Sequence, residues 1–381
     1  MTGRSLAVKF VLLKALYYAI FTALASFAVA YLQTARGLSD GQASLLITLN
    51  TVGAFAGQFL FGRLCDLFHT HKKLFLLLLL LDVPVGLGLY FLPAQGAMYA
   101  LYFALGLVQT PLFVIIDTWF LAAYPNDAAL YGKVLASGSC AYAALSFLYG
   151  RLLDRAGYGI MPWCLLAMLA VTFVLSLTIP DFSGAAASSN NAGGARGARL
   201  PLTLVAFLGI LLGLGVCSNT YNLLPMLMDH VGGTLAQLGL AMSLSGLAQI
   251  PFMLLSGRVQ RIPPRLRITL SGLIFLTTAL CFAFGGAPFP LIFGACICGA
   301  GYGILLPAYR SVIARLAPAS LSTTAQSLAD AVYLSLGSVL SSGFASLTSG
   351  AFGLKMPILT LAGVLVLALI ALWAMGRRIE G

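Results

Sequence analysis

Five ionisable residues stand inside long apolar runs: Lys14, Asp82, Asp117, Arg310 and Asp330. A charge in the hydrocarbon of a membrane costs at least ~2.5–3.5 kcal/mol on insertion scales, so each needs a compensating reason. Two kinds of chemistry fit. Opposite charges can pair statically and fix helix packing. Alternatively, a carboxyl group can carry a proton: a low dielectric favours the neutral acid, and a nearby cation favours the ionised one. An acid whose cationic partner comes and goes then loads and releases a proton. Asp330 is the first candidate for that role, Asp82 the unpaired rival and Asp117 the third. Lys14 has a further reading, in which its stem snorkels to the interface.

Other polar groups recur at helical spacing. Gln326, Asp330, Tyr333, Gly337 and Ser341 follow steps of four and three, which places them on one face. Asn219 and Asn222 are three apart and share a face. Unpaired amides are costly in lipid, so these two either bind a polar solute or bridge to another helix. Tyr18, Phe21, Tyr142, Tyr302 and Tyr309 offer stacking surfaces, although any one of them also reads as packing. Ser139, Ala143, Ser146 and Gly150, and likewise Gly239, Ser243 and Gly246, read as close helix contacts.

Several chemistries are missing. The seven cysteines show no metal or disulfide spacing. His69 and His71 have no third ligand nearby, and His230 reads as a surface partner of Asp229. No Gly-x-x-x-x-Gly-Lys loop is present to cradle a nucleotide phosphate. No nucleophile–base set converges. Neither an enzyme nor a cofactor is expected.

The elements that hold these residues follow from composition. Of 381 residues, 8% are charged and 60% hydrophobic, whereas soluble domains are about a quarter charged. So little charge over so much apolar surface aggregates in water, so lipid is the solvent. In lipid the backbone must satisfy itself as helix or closed barrel. The unbroken apolar run Leu74 to Leu81, and another from Leu361 to Trp373, are too long and too regular for a barrel's alternating strands of ~9–11 residues. Twelve helices are predicted, over 8–33, 42–62, 74–93, 97–122, 130–150, 160–179, 201–225, 236–256, 268–286, 289–314, 321–346 and 356–376. Lys9 before an apolar run ending in Ala28-Val29-Ala30 also fits a cleaved leader. Lys14, Tyr17 and Tyr18 interrupt that run, and cleavage would leave an odd number of spans.

With an inside N-terminus, 17 of the 21 Lys and Arg residues fall on the cytoplasmic side and 4 on the other, so both termini are expected in the cytoplasm. The net charge of +11 is thus a topology signal. A nucleic-acid partner would need a basic face on a soluble domain, and none is expected. The only long polar stretch, 183–199, is rich in Gly, Ala, Ser and Asn and reads as a flexible cytoplasmic linker. It separates six helices over 1–182 from six over 200–381. The two sets echo each other at an offset of 195: Gly37 and Gly232, Ser39 and Thr234, Gln42 and Gln237, Leu45 and Leu240, Gly62 and Gly257, Arg63 and Arg258. Six spans per half give parallel repeats.

The chain resembles the major facilitator superfamily of transporters. Gly62-Arg63-Leu64-Cys65-Asp66 with Lys72-Lys73 is similar to that superfamily's signature between helices 2 and 3, and Gly257-Arg258 is its second copy, without the Asp. Within the superfamily the chain resembles the lactose-permease-like proton symporters, with nucleoside and phenylpropionate carriers. The segments that carry this likeness are Tyr31-Leu32 with Gly37-Leu38-Ser39, Pro111 with Asp117, Tyr131-Gly132-Lys133 with Gly138-Ser139, Leu153-Asp154-Arg155-Ala156-Gly157, and Pro307-Ala308 with Leu316-Ala317-Pro318 and Ala325-Gln326-Ser327-Leu328. Leu135 stands where that group often has a second Arg, so lactose-type recognition is not implied.

The resemblance implies twelve helices in two halves related by a pseudo-two-fold along the membrane normal, with helices 1, 4, 7 and 10 lining a cavity. Lys14 and Asp117 lie at similar depths of about 9 Å from the cytoplasmic side, as does Arg310, while Asp330 lies at about 15 Å. The pairs Lys14–Asp117 and Arg310–Asp330 are therefore expected. The implied function is proton-coupled symport of a small polar or partly aromatic solute by alternating access. The alternatives are a proton-coupled exporter of amphipathic compounds and a non-transporting sensor on the same scaffold. A monomer in a bacterial inner membrane is the implied setting.

Overall fold

The computed structural model describes residues 3–24, 26–68, 70–92, 94–124, 128–182, 201–254, 262–317 and 322–376. Every regular element among them is helical. The chain divides into two compact units, one of residues 1–37 and 45–189, the other of 38–44 and 190–381.

In the first unit, α1 (Gly3–Leu24) and α2 (Ser26–Thr34) form one span. They are followed by α3 (Asp40–Phe68), α4 (Lys72–Phe91), α5 (Gln95–Ala123), α6 (Ala128–Ala156) and α7 (Met161–Leu177). The first turn of α3 groups with the second unit. In the second unit, α8 (Leu202–Ser218), a 3-10 segment (Asn219–Leu223) and α9 (Leu224–His230) make one interrupted span. Next come α10 (Leu235–Leu254), α11 (Pro264–Phe284) and α12 (Pro288–Leu316). Then α13 (Ser322–Asp330), a π segment (Ala331–Leu336) and α14 (Gly337–Phe352) run as one rod, and α15 (Lys355–Ala374) closes the chain.

Eleven of these spans are long and apolar enough to cross a membrane, judged over the described residues. The twelfth, α6, is 29 residues long, but its middle is rich in Ala, Gly and Ser and so is less apolar. The protein is an all-α membrane protein of twelve spans. Helix α3 runs six residues past its expected end, so Gly62 to Asp66 form its last turns and not a loop. Nothing in Arg63-Leu64-Cys65-Asp66-Leu67 breaks a helix, and a cytoplasmic helix end need not stop at the bilayer.

The echo between the halves has a physical basis. Gly37 and Gly232 both adopt left-handed backbone, with φ of 68° and 67°, which favours glycine. Two residues later each repeat builds a reciprocal capping box. The Ser39 amide donates to Gln42 Oε1 at 2.9 Å while the Gln42 amide donates to Ser39 Oγ at 3.4 Å. The Thr234 amide donates to Gln237 Oε1 at 2.8 Å, and the Gln237 amide donates to Thr234 Oγ1 at 3.2 Å. Helix crossings repeat too. A Cβ on Gly106 of α5 would fall 1.9 Å from Asn50 O of α3, and one on Gly299 of α12 would fall 2.0 Å from Ser245 O of α10. Only glycine permits backbones to approach so closely.

Candidate functional site

In the first unit, the spacing of Lys14, Tyr17, Tyr18 and Phe21 puts all four on one broad side of α1. Lys14 Nζ lies 2.6 Å from Asp117 Oδ1 and 3.6 Å from the centre of the Phe113 ring. Phe113 and Asp117 are one turn apart on α5, so ring and carboxylate meet the ammonium together. The Lys14 side chain is fully buried and Asp117 nearly so. This ammonium therefore does not snorkel. One turn earlier on α5, Gln109 O accepts a hydrogen bond from the Tyr17 hydroxyl at 3.2 Å.

Beside the pair lies an aromatic cluster. The Tyr18 ring sits 5.8 Å from Phe113, 6.4 Å from Phe21 and 6.3 Å from Tyr142. Gly138 on α6 gives Tyr18 its room, since a Cβ there would fall 2.3 Å from the ring. Edge-to-face contacts at these distances are the favourable geometry for aromatic pairs. Asp82 on α4 stands apart. It is fully buried, and neither of its carboxyl oxygens has a hydrogen-bond partner among the described residues.

In the second unit, two side chains converge on one carboxylate. Arg310 Nη2 lies 3.0 Å from Asp330 Oδ2, and the Tyr309 hydroxyl donates to Asp330 Oδ1 at 2.5 Å. Gln326, one turn before Asp330, donates to Arg310 O at 2.8 Å. Asp330 is 33% exposed and Arg310 50%, so this pair is far more open than Lys14–Asp117. Tyr333 packs under the cluster, its ring 6.2 Å from Tyr302 and 5.7 Å from Tyr309. The two amides of the interrupted span reach the Asp330 rod. Asn219 Nδ2 donates to Tyr333 O at 3.1 Å, and Asn222 Nδ2 donates to Ser338 Oγ at 3.0 Å. Both amides thus make bridging contacts to that rod.

The expected gating residues are less gathered. Gly257 and Arg258 lie outside the described residues, as do the side chains of Arg63 and Asp66. Lys72 Nζ donates to Leu177 O and Ile179 O, each at 2.7 Å, and so caps the carbonyl end of α7. Lys73 is exposed. Asp181, which sequence reasoning passed over, accepts from the Thr70 hydroxyl and from the Lys72 amide. Its position four residues after α7 carried no periodic signal. His230, expected beside Asp229, instead puts Nε2 2.9 Å from Asp40 Oδ2.

The apolar spans define a multi-pass membrane protein. A family model described as "MFS_1 like family" matches residues 7–356, and the chain belongs to that family. Its transporters are not enzymes, and neither is this chain. It is 26% identical over 373 residues to the maltose permease of Geobacillus stearothermophilus, covering 93% of this chain and 92% of that one. Among solved structures it resembles a single-residue variant of the nucleoside transporter NupG, with a TM-score of 0.80 at 13% identity over 97% of this chain and 100% of that one. It also resembles a D-xylose–proton symporter, with a TM-score of 0.68 at 15% identity over 96% and 97% of the two chains.

Proposed function

We propose that this transporter moves a small polar or partly aromatic solute by alternating access of two six-helix bundles, 1–182 and 200–381, in symport with protons. The observation that carries this reading is the cluster on Asp330. A carboxylate held at once by Arg310 and the Tyr309 hydroxyl, and one-third exposed, is stabilised only while both partners stay. Movement of Arg310 on and off this carboxylate is the step that couples proton loading and release to the transport cycle. The aromatic cluster around Tyr18 offers flat apolar faces of the kind that bind rings of sugars or aromatic solutes. The named cargoes of the similar proteins are maltose, nucleosides and D-xylose. In this reading the linker 183–199 and both termini are cytoplasmic, the protein works as a monomer, and the membrane is a bacterial inner membrane.

The test is uptake into proteoliposomes under an imposed pH gradient, with a panel of nucleosides, pentoses, disaccharides and aromatic acids. Gradient-driven accumulation of one class is expected. Asp330→Asn should abolish accumulation and leave solute counterflow intact. Loss of accumulation in Asp82→Asn with Asp330→Asn unaffected would move the proton to Asp82. Extrusion in place of uptake would make the protein an exporter, and indifference of the wild type to the gradient would end the proposal of coupling.

A further inference from the structure

The geometry points to Asn219 as a positioning residue for the Asp330 site: its amide holds open the π segment that aims Asp330 and Tyr333. This inference rests on Asp330 being the proton site, but its structural half does not. The rod that carries Asp330 changes register immediately after it. Residues Ala331–Leu336 form a π segment, and the Gly337 amide is shared between Leu334 O and Val332 O, three and five residues back. Such single turns have identifiable causes, one being a side chain inserted into the helical ladder. Here the inserted side chain is Asn219. Its Nδ2 donates both to Gly215 O at 2.7 Å and to Tyr333 O at 3.1 Å. Both partners are carbonyls and can only accept, so the amide must face them through its nitrogen.

The grip is mutual and tight. The span that carries Asn219 changes from α to 3-10 at that residue, so two irregular segments face each other. A Cβ on Gly215 would fall 2.4 Å from Tyr333 O, and one on Gly337 would fall 2.8 Å from the Gly215 carbonyl carbon. Ser218 Oγ bonds the Tyr333 hydroxyl at 3.0 Å. Backbone and ring of Tyr333 are thus both tied to residues 215–219, and the Tyr333 ring packs against Tyr309, which donates to Asp330. Loss of the Asn219 bond lets the ladder return towards α. One residue of register turns a helix face by about 100°, which would carry Asp330 off Tyr309 and Arg310.

The experiment compares wild type with Asn219→Ala by hydrogen–deuterium exchange over a peptide covering 328–340, and by the pH dependence of gradient-driven uptake and of counterflow. Faster exchange there by about tenfold is expected, with a shifted pH midpoint for accumulation and a counterflow KM within about twofold of wild type. Asn222→Ala, which removes a bond beyond the π segment, should leave that midpoint in place. Unchanged exchange in Asn219→Ala would overturn the inference. So would a large rise in counterflow KM at an unchanged midpoint, because Asn219 would then contact solute. If the wild type shows no proton coupling while the exchange still changes, the proton reading of Asp330 fails and the structural role of Asn219 stands.

Discussion

Lys14 and Asp117, 103 residues apart in sequence, meet at 2.6 Å in the interior of the first unit. Removing one member of a buried pair strands the other charge, at a cost of about 3–5 kcal/mol, whereas replacing both with apolar residues is often neutral. Lys14→Met and Asp117→Leu should each lower the unfolding temperature in detergent clearly. The double variant should recover most of that loss. If its loss equals the sum of the two single losses, the residues are not energetically coupled.

Asp82 should behave in the opposite way. Its carboxyl oxygens have no hydrogen-bond partner among the described residues, so Asp82→Leu removes a desolvation cost and no bond. Thermal unfolding at or above the wild-type temperature is expected. A marked drop would mean that Asp82 holds a structural contact.

The Tyr18 cluster depends on Gly138. A Cβ there would fall 2.3 Å from the ring, so Gly138→Ala displaces the ring. If the cluster stacks on the solute, counterflow KM should rise by about tenfold, the effect of losing about 1.4 kcal/mol of binding. An unchanged KM in folded protein would make the cluster packing alone.

The two capping boxes offer a matched pair of tests. Ser39→Ala and Thr234→Ala each delete a side-chain oxygen that accepts from the helix-start amide of a Gln. Each should cost about 0.5–2 kcal/mol, read as a small fall in unfolding temperature of similar size in both halves. A loss confined to one half would show that the repeats no longer share this device.

Much of this was legible in the chain itself. Apolar runs of twenty residues admit one structure in lipid, so the spans and their order could be read directly. Gly37 and Gly232, with Ser39–Gln42 and Thr234–Gln237, work through neighbours two or three residues away. Their repetition was therefore visible in the chain, whereas their roles as left-handed turns and capping boxes came from the folded geometry. The misread ends reflect the same limit from the other side: α3, α6 and α14 each run six residues past their expected ends, because hydropathy marks where a membrane stops, not where a helix does.

What tertiary structure decided lies where distant segments meet. Depth along a rod could suggest Lys14 with Asp117 and Arg310 with Asp330. It could not place Phe113 against the ammonium or the Tyr309 hydroxyl on the carboxylate, because those depend on how each helix is rotated about its axis. Nor could it show that the buried Asp82 carboxyl has no hydrogen-bond partner among the described residues. The π segment after Asp330 was wholly invisible, since Ala331-Val332-Tyr333-Leu334-Ser335-Leu336 is an ordinary helical sequence. Its altered register comes from an amide 114 residues away, and only the folded unit brings that amide to the carbonyl it holds.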